Sequence, residues 1–170
     1  RKISQHIEVP GKGVFTDDRC KRITHDVEQV ADNIFAIGGH RGWYYADFLW
    51  HIRGAMDKMV GGIGLRRGRT HESNIYNGDA LDFWRVLVAD REERRLLLYA
   101  EMKLPGEAWL EFSIEEKDGE AWLRQTATFR PHGIMGRLYW YSVLPFHFFV
   151  FRGMLNRLES YGSRKEPVRA

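Results

Sequence analysis

The sequence predicts an α+β fold in which a curved antiparallel sheet wraps around a long C-terminal helix. Three observations carry this reading. Apolar residues recur at helical spacing in two early segments, around residues 27–35 and 44–60. Beyond Gly61-Gly62 the apolar pattern changes to the twofold alternation of strands. The chain then closes on its most apolar stretch, GRLYWYSVLPFHFFVFRGML, again at helical spacing.

Taken in order, residues 1–13 read as a connecting arm, 14–162 as one domain and 163–170 as a flexible tail. Residues 14–24 are a first strand. Asp26 is the expected N-cap of a helix, with Gln29 three residues on completing a capping box. Val27, Val30, Ala31, Ile34 and Phe35 form its buried stripe, and Gly38 stops it. A second short helix fits residues 44–60, with Phe48, Ile52, Ala55, Met56 and Met59 on one face. Four strand-like runs follow at 79–89, 95–103, 108–115 and 121–130. Pro105-Gly106 supplies turn chemistry between the second and third, and Asp118-Gly119 between the third and fourth. The closing helix is expected from Ser142 as N-cap to Tyr161, with Gly162 after it and Pro145 harmless in its first turn. Trp140, Leu144, His147, Phe151, Met154 and Leu158 line one side of it.

Composition excludes several functions. The uncharged run between Arg137 and Arg152 is about 14 residues, short of the roughly 20 that cross a bilayer. The chain shows no export signal, and a lone Cys20 offers no disulfide framework, so the expected compartment is the cytoplasm. A net charge of +3, with basic residues in short groups such as Arg94-Arg95, gives no stripe for nucleic acid. The first residue is Arg, which leads to the expectation that the chain is cut from a longer protein. The chain also carries six Trp, seven Tyr and ten Phe, more aromatic surface than a minimal core needs and suited to lining a pocket.

Counting out from tight turns predicts which polar groups face the core. Lys117 opposite Glu120 sets Ile114 against Leu123, Phe112 against Gln125 and Leu110 against Ala127. Leu104 opposite Glu107 sets Glu101 against Leu110, Tyr99 against Phe112 and Leu97 against Ile114. A four-residue turn over 91–94 sets Trp84 opposite Glu101 and Asp82 opposite Lys103; a one-residue shift would bring Phe83 and Arg85 inward instead. Tyr99, Glu101 and Gln125 then fall on the apolar face, beneath the helix that carries His147. A buried carboxylate is costly unless paired or protonated. The plainer reading of Glu101 is a structural partner of an arginine or a tyrosine hydroxyl, and of His147 a core histidine; the sharper one is a polar set inside a ligand cavity.

Metal and nucleotide chemistry find no support in the spacing. There is no Cys-x-x-Cys, His-x-x-x-His or His-Glu-x-x-His, so no metal site is expected. GGIGLRRGR follows a helix and lacks the Gly-Lys of a phosphate loop, and no Gly-x-Ser-x-Gly elbow appears.

The runs GGHRGWYYADFLWHIRGAMDKMVGGIGLRRGR, GDALDFWRV, AEMKLPGEAWLEF, QTATFRPHGIMGRLYWY and LPFHFFVFRGM resemble a bacterial family, domain-of-unknown-function family 2867, over residues 14–158. The resemblance implies a helix-grip fold similar to START-like and polyketide-cyclase-like domains, whose members enclose an apolar cavity. It also implies an upstream NAD(P)-binding, short-chain-dehydrogenase- or epimerase-like domain, with no cofactor in this chain itself. It brings no catalytic residues.

Three functions are open on the sequence. The first is a small-molecule binding domain for an apolar or aromatic ligand, lined by Trp84, Tyr99, Glu101, Leu110, Phe112, Gln125, Trp140, His147 and Phe151. The second is a cyclase- or dehydratase-like enzyme using Glu101 and His147 as acid and base. The third is a dimerisation or interaction module with a filled core, which exposure of Tyr139, Phe146, Phe149 or Val150 in one patch would favour.

Overall fold

A hairpin of two twelve-residue strands, β6 (Gly106–Lys117) and β7 (Glu120–Pro131), is the frame of the fold. Asp118 and Gly119 between them take positive φ, 54° and 76°, the conformation a two-residue hairpin turn requires. Lys117 faces Glu120, and the ladder runs on through Ile114 and Leu123, Phe112 and Gln125, and Leu110 and Ala127, the register expected from sequence. The structure is a computed structural model, and it describes residues 8–38, 55, 58–59, 61, 67–68, 75–81, 84–101 and 105–161.

Among the described residues, five more strands complete a seven-stranded antiparallel sheet: β1 (Phe15–Arg22), β2 (Arg67–Gly68), β3 (Ala80–Leu81), β4 (Trp84–Asp90) and β5 (Arg95–Ala100). The spatial order is β1-β7-β6-β5-β4-β3-β2, so the first strand returns to the edge beside β7. Helix α1 (Val27–Phe35) follows β1, and helix α2 (Gly133–Ser160) closes the described chain. The curved sheet wraps α2, which packs against β7 and β1: the helix-grip arrangement. Of the expected helix over 44–60, Ala55, Lys58 and Met59 are helical, and the rest lies outside the described residues.

Several expectations need correction. The run over 79–89 is a hairpin, in which Leu81 pairs with Trp84 and Ala80 with Arg85. β4 and β5 begin as counted, with Asp90 opposite Arg95, but a bulge at Leu87 adds one residue, and Trp84 meets Ala100 rather than Glu101. The Asp82–Lys103 pairing lies outside the described residues. Between β5 and β6 the register differs by three residues: Tyr99 faces Trp109, not Phe112, and Leu98 faces Leu110. An odd offset exchanges the two faces of a strand.

The cause lies in β5 itself. Leu96, Leu97 and Leu98 are all fully buried, because the strand is covered on both sides. Leu96 and Leu98 join the main core, while Leu97 packs with Val88 and Trp109 in a second cluster on the other face, against Tyr99, Leu87 and Val9. Five residues separate β5 from β6, more than a two-residue turn, so counting outward from Pro105-Gly106 fails.

Both helices also depart from expectation in detail. Asp26 caps α1 by accepting from the Glu28 backbone N–H, but Gln29 donates to Asn33 Oδ1 and no capping box forms. α2 starts at Gly133, so Ser142 lies inside it and its hydroxyl donates back to the Leu138 carbonyl at 2.7 Å. Pro145 is interior too; it and Tyr141, whose carbonyl loses its partner, both sit on the exposed side, where water can replace the missing bond. The inward stripe of α2 runs through Gly136, Trp140, Val143, His147, Phe151, Met154 and Leu158, while Leu144 is 39% exposed.

Candidate functional site

The inner face of the sheet is organised in rows across β1, β7 and β6. Phe15 lies beside Phe129 and Ala108; Asp17 beside Ala127 and Leu110; Arg19 beside Gln125 and Phe112; Lys21 beside Leu123 and Ile114. Polarity therefore falls across the sheet, from a charged β1 edge, through Gln125, to the apolar surface of β6 and β5. α2 covers these rows.

An aromatic group closes one end. Phe15 and Phe129 both lie parallel to the Trp140 indole, at centroid distances of 5.4 and 6.0 Å. Trp140 meets His147 edge-on at 5.4 Å, and His147 lies 4.8 Å from the Phe151 ring. His147 is thus held within an aromatic row on the inward side of α2, as its spacing indicated.

The middle rows hold the polar groups. Arg19 donates from Nε and Nη2 to both oxygens of Asp17, at 2.7 and 3.0 Å, two residues along the same face. The side chains of Asp17 and Arg19 are only 12% and 20% exposed. Arg19 also lies over the Phe148 ring, 4.9 Å from its centroid. Gln125 is 1% exposed, and among the described residues neither Oε1 nor Nε2 has a hydrogen-bond partner. Leaving such an amide unmet costs roughly 1–3 kcal/mol per group.

The far end is tied by Glu159 at the end of α2, 2% exposed. Its Oε1 accepts from the Thr24 backbone N–H and hydroxyl, each at 3.0 Å, and from His25 Nδ1 at 2.5 Å; Lys21 Nζ lies 3.3 Å from Oε2. Burial alone would push this carboxyl up, but those donors together hold it down at about 2.

Of the expected site residues, Trp84, Leu110, Phe112, Gln125, Trp140, His147 and Phe151 face the interior. Tyr99 and Glu101 do not. Glu101 accepts a two-pronged bond from Arg85, Nε to Oε1 at 2.7 Å and Nη2 to Oε2 at 3.2 Å, and Arg85 Nη1 donates to the Gly78 carbonyl. Tyr99 packs on Trp109 on the outward face, where burial raises its hydroxyl pKa, as does the nearby Glu107. The structural reading of Glu101, as an arginine's partner, is the one the geometry matches.

Asp17 and Arg19 are two inward residues that the sequence pattern does not mark. β1 reads FTDDRCKR, polar on both faces, so alternation could not mark which residues point inward. Only the pairing with β7 does. Among the described residues no three His, Cys, Asp or Glu side chains gather as metal ligands, and no helix is long and apolar enough to cross a membrane.

Sheet, gripping helix and inward polar row define a protein of the helix-grip class. Over residues 10–154 the chain matches the family described as protein of unknown function, DUF2867, and it belongs to that family. Among solved structures it is similar to norcoclaurine synthase from Thalictrum flavum in complex with dopamine and hydroxybenzaldehyde (7% identity, 95% of this chain and 98% of that one, TM-score 0.51). It is likewise similar to the Zhui aromatase/cyclase from Streptomyces sp. R1128 (15% identity, 92% and 97%, TM-score 0.52). A third is the major latex-like protein 151 of Panax ginseng (10%, 88% and 97%, TM-score 0.50). At these identities the likeness is one of fold. No curated protein matches the chain.

Proposed function

We propose that this domain binds a small amphipathic molecule between the inner face of the sheet and α2. The observation that carries the reading is Gln125, whose carboxamide is buried on the inner face with both polar atoms unmet. A packed core normally pairs such a group; a binding site leaves it for the ligand. The row from Arg19 through Gln125 to Phe112 would orient the molecule, its polar end toward β1 and its apolar body over β6 and β5. The solved relatives named for norcoclaurine synthase and aromatase/cyclase activities support small, partly aromatic ligands for this fold. In a longer protein the domain would present its ligand to an attached NAD(P)-dependent oxidoreductase domain, the cofactor staying outside this chain. An acid–base enzyme using Glu101 loses support, because that carboxylate faces outward and is paired. Native mass spectrometry of the gently purified chain, with extraction and identification of anything released, tests the proposal. A stoichiometric small molecule is expected; a chain that stays apo and binds no apolar probe would overturn it.

A second reading, interaction through α2, rests on a different observation. Ile134, Leu138, Tyr141 and Phe149 are 77, 56, 61 and 69% exposed and form an outward stripe, flanked by Met135, Phe146 and Phe148. Of the two inner members of the expected patch, Tyr139 is half-buried and Val150 is buried. The charged residues exposed on α2 are Arg137, Arg152 and Arg157, since its one acid, Glu159, is buried. Pairing two copies through this face would set arginines together without a carboxylate. An anionic lipid surface would match both the aromatics and the charge. Flotation with phosphatidylcholine vesicles containing 30% phosphatidylglycerol should carry the chain upward, and F149E should abolish this; no flotation, or a dimer in light scattering that F149E dissolves, would overturn it.

A further inference from the structure

The Gln125 carboxamide also defines the kind of head group that would meet it. We propose that the ligand's polar end is an uncharged group presenting a hydrogen-bond donor and an acceptor side by side, such as a carboxamide or lactam edge. This rests on the ligand-binding reading above and deepens it.

The argument has three steps. First, Gln125 offers an acceptor, Oε1, and a donor, Nε2, on one planar group, both unmet among the described residues. Exchanging the two atoms leaves a donor beside an acceptor, so the complementarity does not depend on which way the amide is turned. A second amide edge satisfies both at once through two parallel bonds. A carboxylate can only accept, and would leave Oε1 facing another oxygen.

Second, among the described residues, the two cations on the inner face beside Gln125, Arg19 and Lys21, are each already paired with a carboxylate. Arg19 is engaged by both oxygens of Asp17, and Lys21 by the buried Glu159. An anionic head group would enter beside Asp17 with its charge unmatched, which is costly in a buried site. Third, the residue next to Gln125 on β6 is Phe112, fully buried, and the next on β5 is Leu96, so the group attached to the amide meets an apolar wall.

Titration calorimetry of the intact chain with 2-naphthamide, 2-naphthoate and methyl 2-naphthoate reads this directly, because the three share one aromatic body. The amide is expected to bind about tenfold more tightly than either other probe, the effect of one or two net hydrogen bonds. Gln125→Met should remove that preference, bringing the amide's affinity down to that of the ester. Because the substitution removes two unmet buried polar atoms, Gln125→Met should melt no lower than the parent; Gln125→Leu serves as the second variant. Equal affinity for amide and ester, tighter binding of the carboxylate, or a preference that survives in both variants would overturn the head-group assignment and leave the ligand-binding reading standing. Failure of all three probes to bind would overturn both.

Discussion

The side-chain amide of Asn33, in α1, donates to the backbone carbonyl of Leu158 near the end of α2 at 2.9 Å. The same nitrogen donates to the Tyr161 carbonyl, also at 2.9 Å. The last carbonyls of a helix have no partner within it. Here a buried residue from another helix supplies one, and so fixes where α2 ends over the sheet. Asn33→Ala removes the donor and leaves two carbonyls, one of them buried, to be rehydrated or strained. It should lower unfolding free energy by about 2–3 kcal/mol in urea titrations, with little change in native helical content.

Glu159 fastens the same end of α2 to the β1 edge of the sheet, through Lys21 and the Thr24-His25 segment that follows it. Its folded pKa, about 2, lies below the ordinary glutamate value of 4.5. The folded state therefore favours the ionised carboxylate, and the resulting stability is fully present above about pH 4.5. It is lost as pH falls from there through about 2. Its size is on the order of 3 kcal/mol. Urea midpoints measured between pH 7 and 2.5 should fall across that window. Glu159→Gln should start lower at pH 7 and lose most of this acid dependence.

The Arg85–Glu101 pair is partly exposed, with side chains 33% and 28% exposed. Partly exposed pairs of this kind contribute about 1 kcal/mol or less. Glu101→Gln should thus cost little stability and leave the affinity for 2-naphthamide unchanged. Calorimetry with that probe checks the assignment: a tenfold loss of affinity would bring Glu101 back into the site.

That residue also shows where sequence reading succeeds and where it stops. Asp118-Gly119 dictates a two-residue turn, and the strands beside it alternate cleanly, so the Phe112–Gln125 pairing could be counted. β5 carries apolar residues on both faces, and its connection to β6 is longer, so neither pattern nor turn specifies its register; Tyr99 lies on the outward face and Glu101 is paired with Arg85. β1 fails for the opposite reason: polar residues on both faces hid the inward Asp17 and Arg19. The position of His147 was legible because Trp140, Phe151 and Met154 share its helical phase. Leu144 broke the same stripe, because Val143 holds the inward place.

Gly136 determines how closely α2 can approach the sheet where the helix begins. A Cβ built there would lie 2.4 Å from the Pro105 carbonyl oxygen and 2.8 Å from Pro131 Cα, both backbone atoms that cannot turn aside. Gly136→Ala must therefore lift the first turns of α2, although alanine is the better helix former. Trp140 lies one turn further on, stacked on Phe15 and Phe129, so the displacement passes directly into that group. The variant should lose about 1–3 kcal/mol of stability, as overpacked sites do. Its near-ultraviolet circular dichroism from the Trp140 stack should weaken while the far-ultraviolet spectrum is retained. If stability rises instead, as helix propensity alone would have it, α2 does not rest on Pro105 and Pro131 as closely as the structure places it.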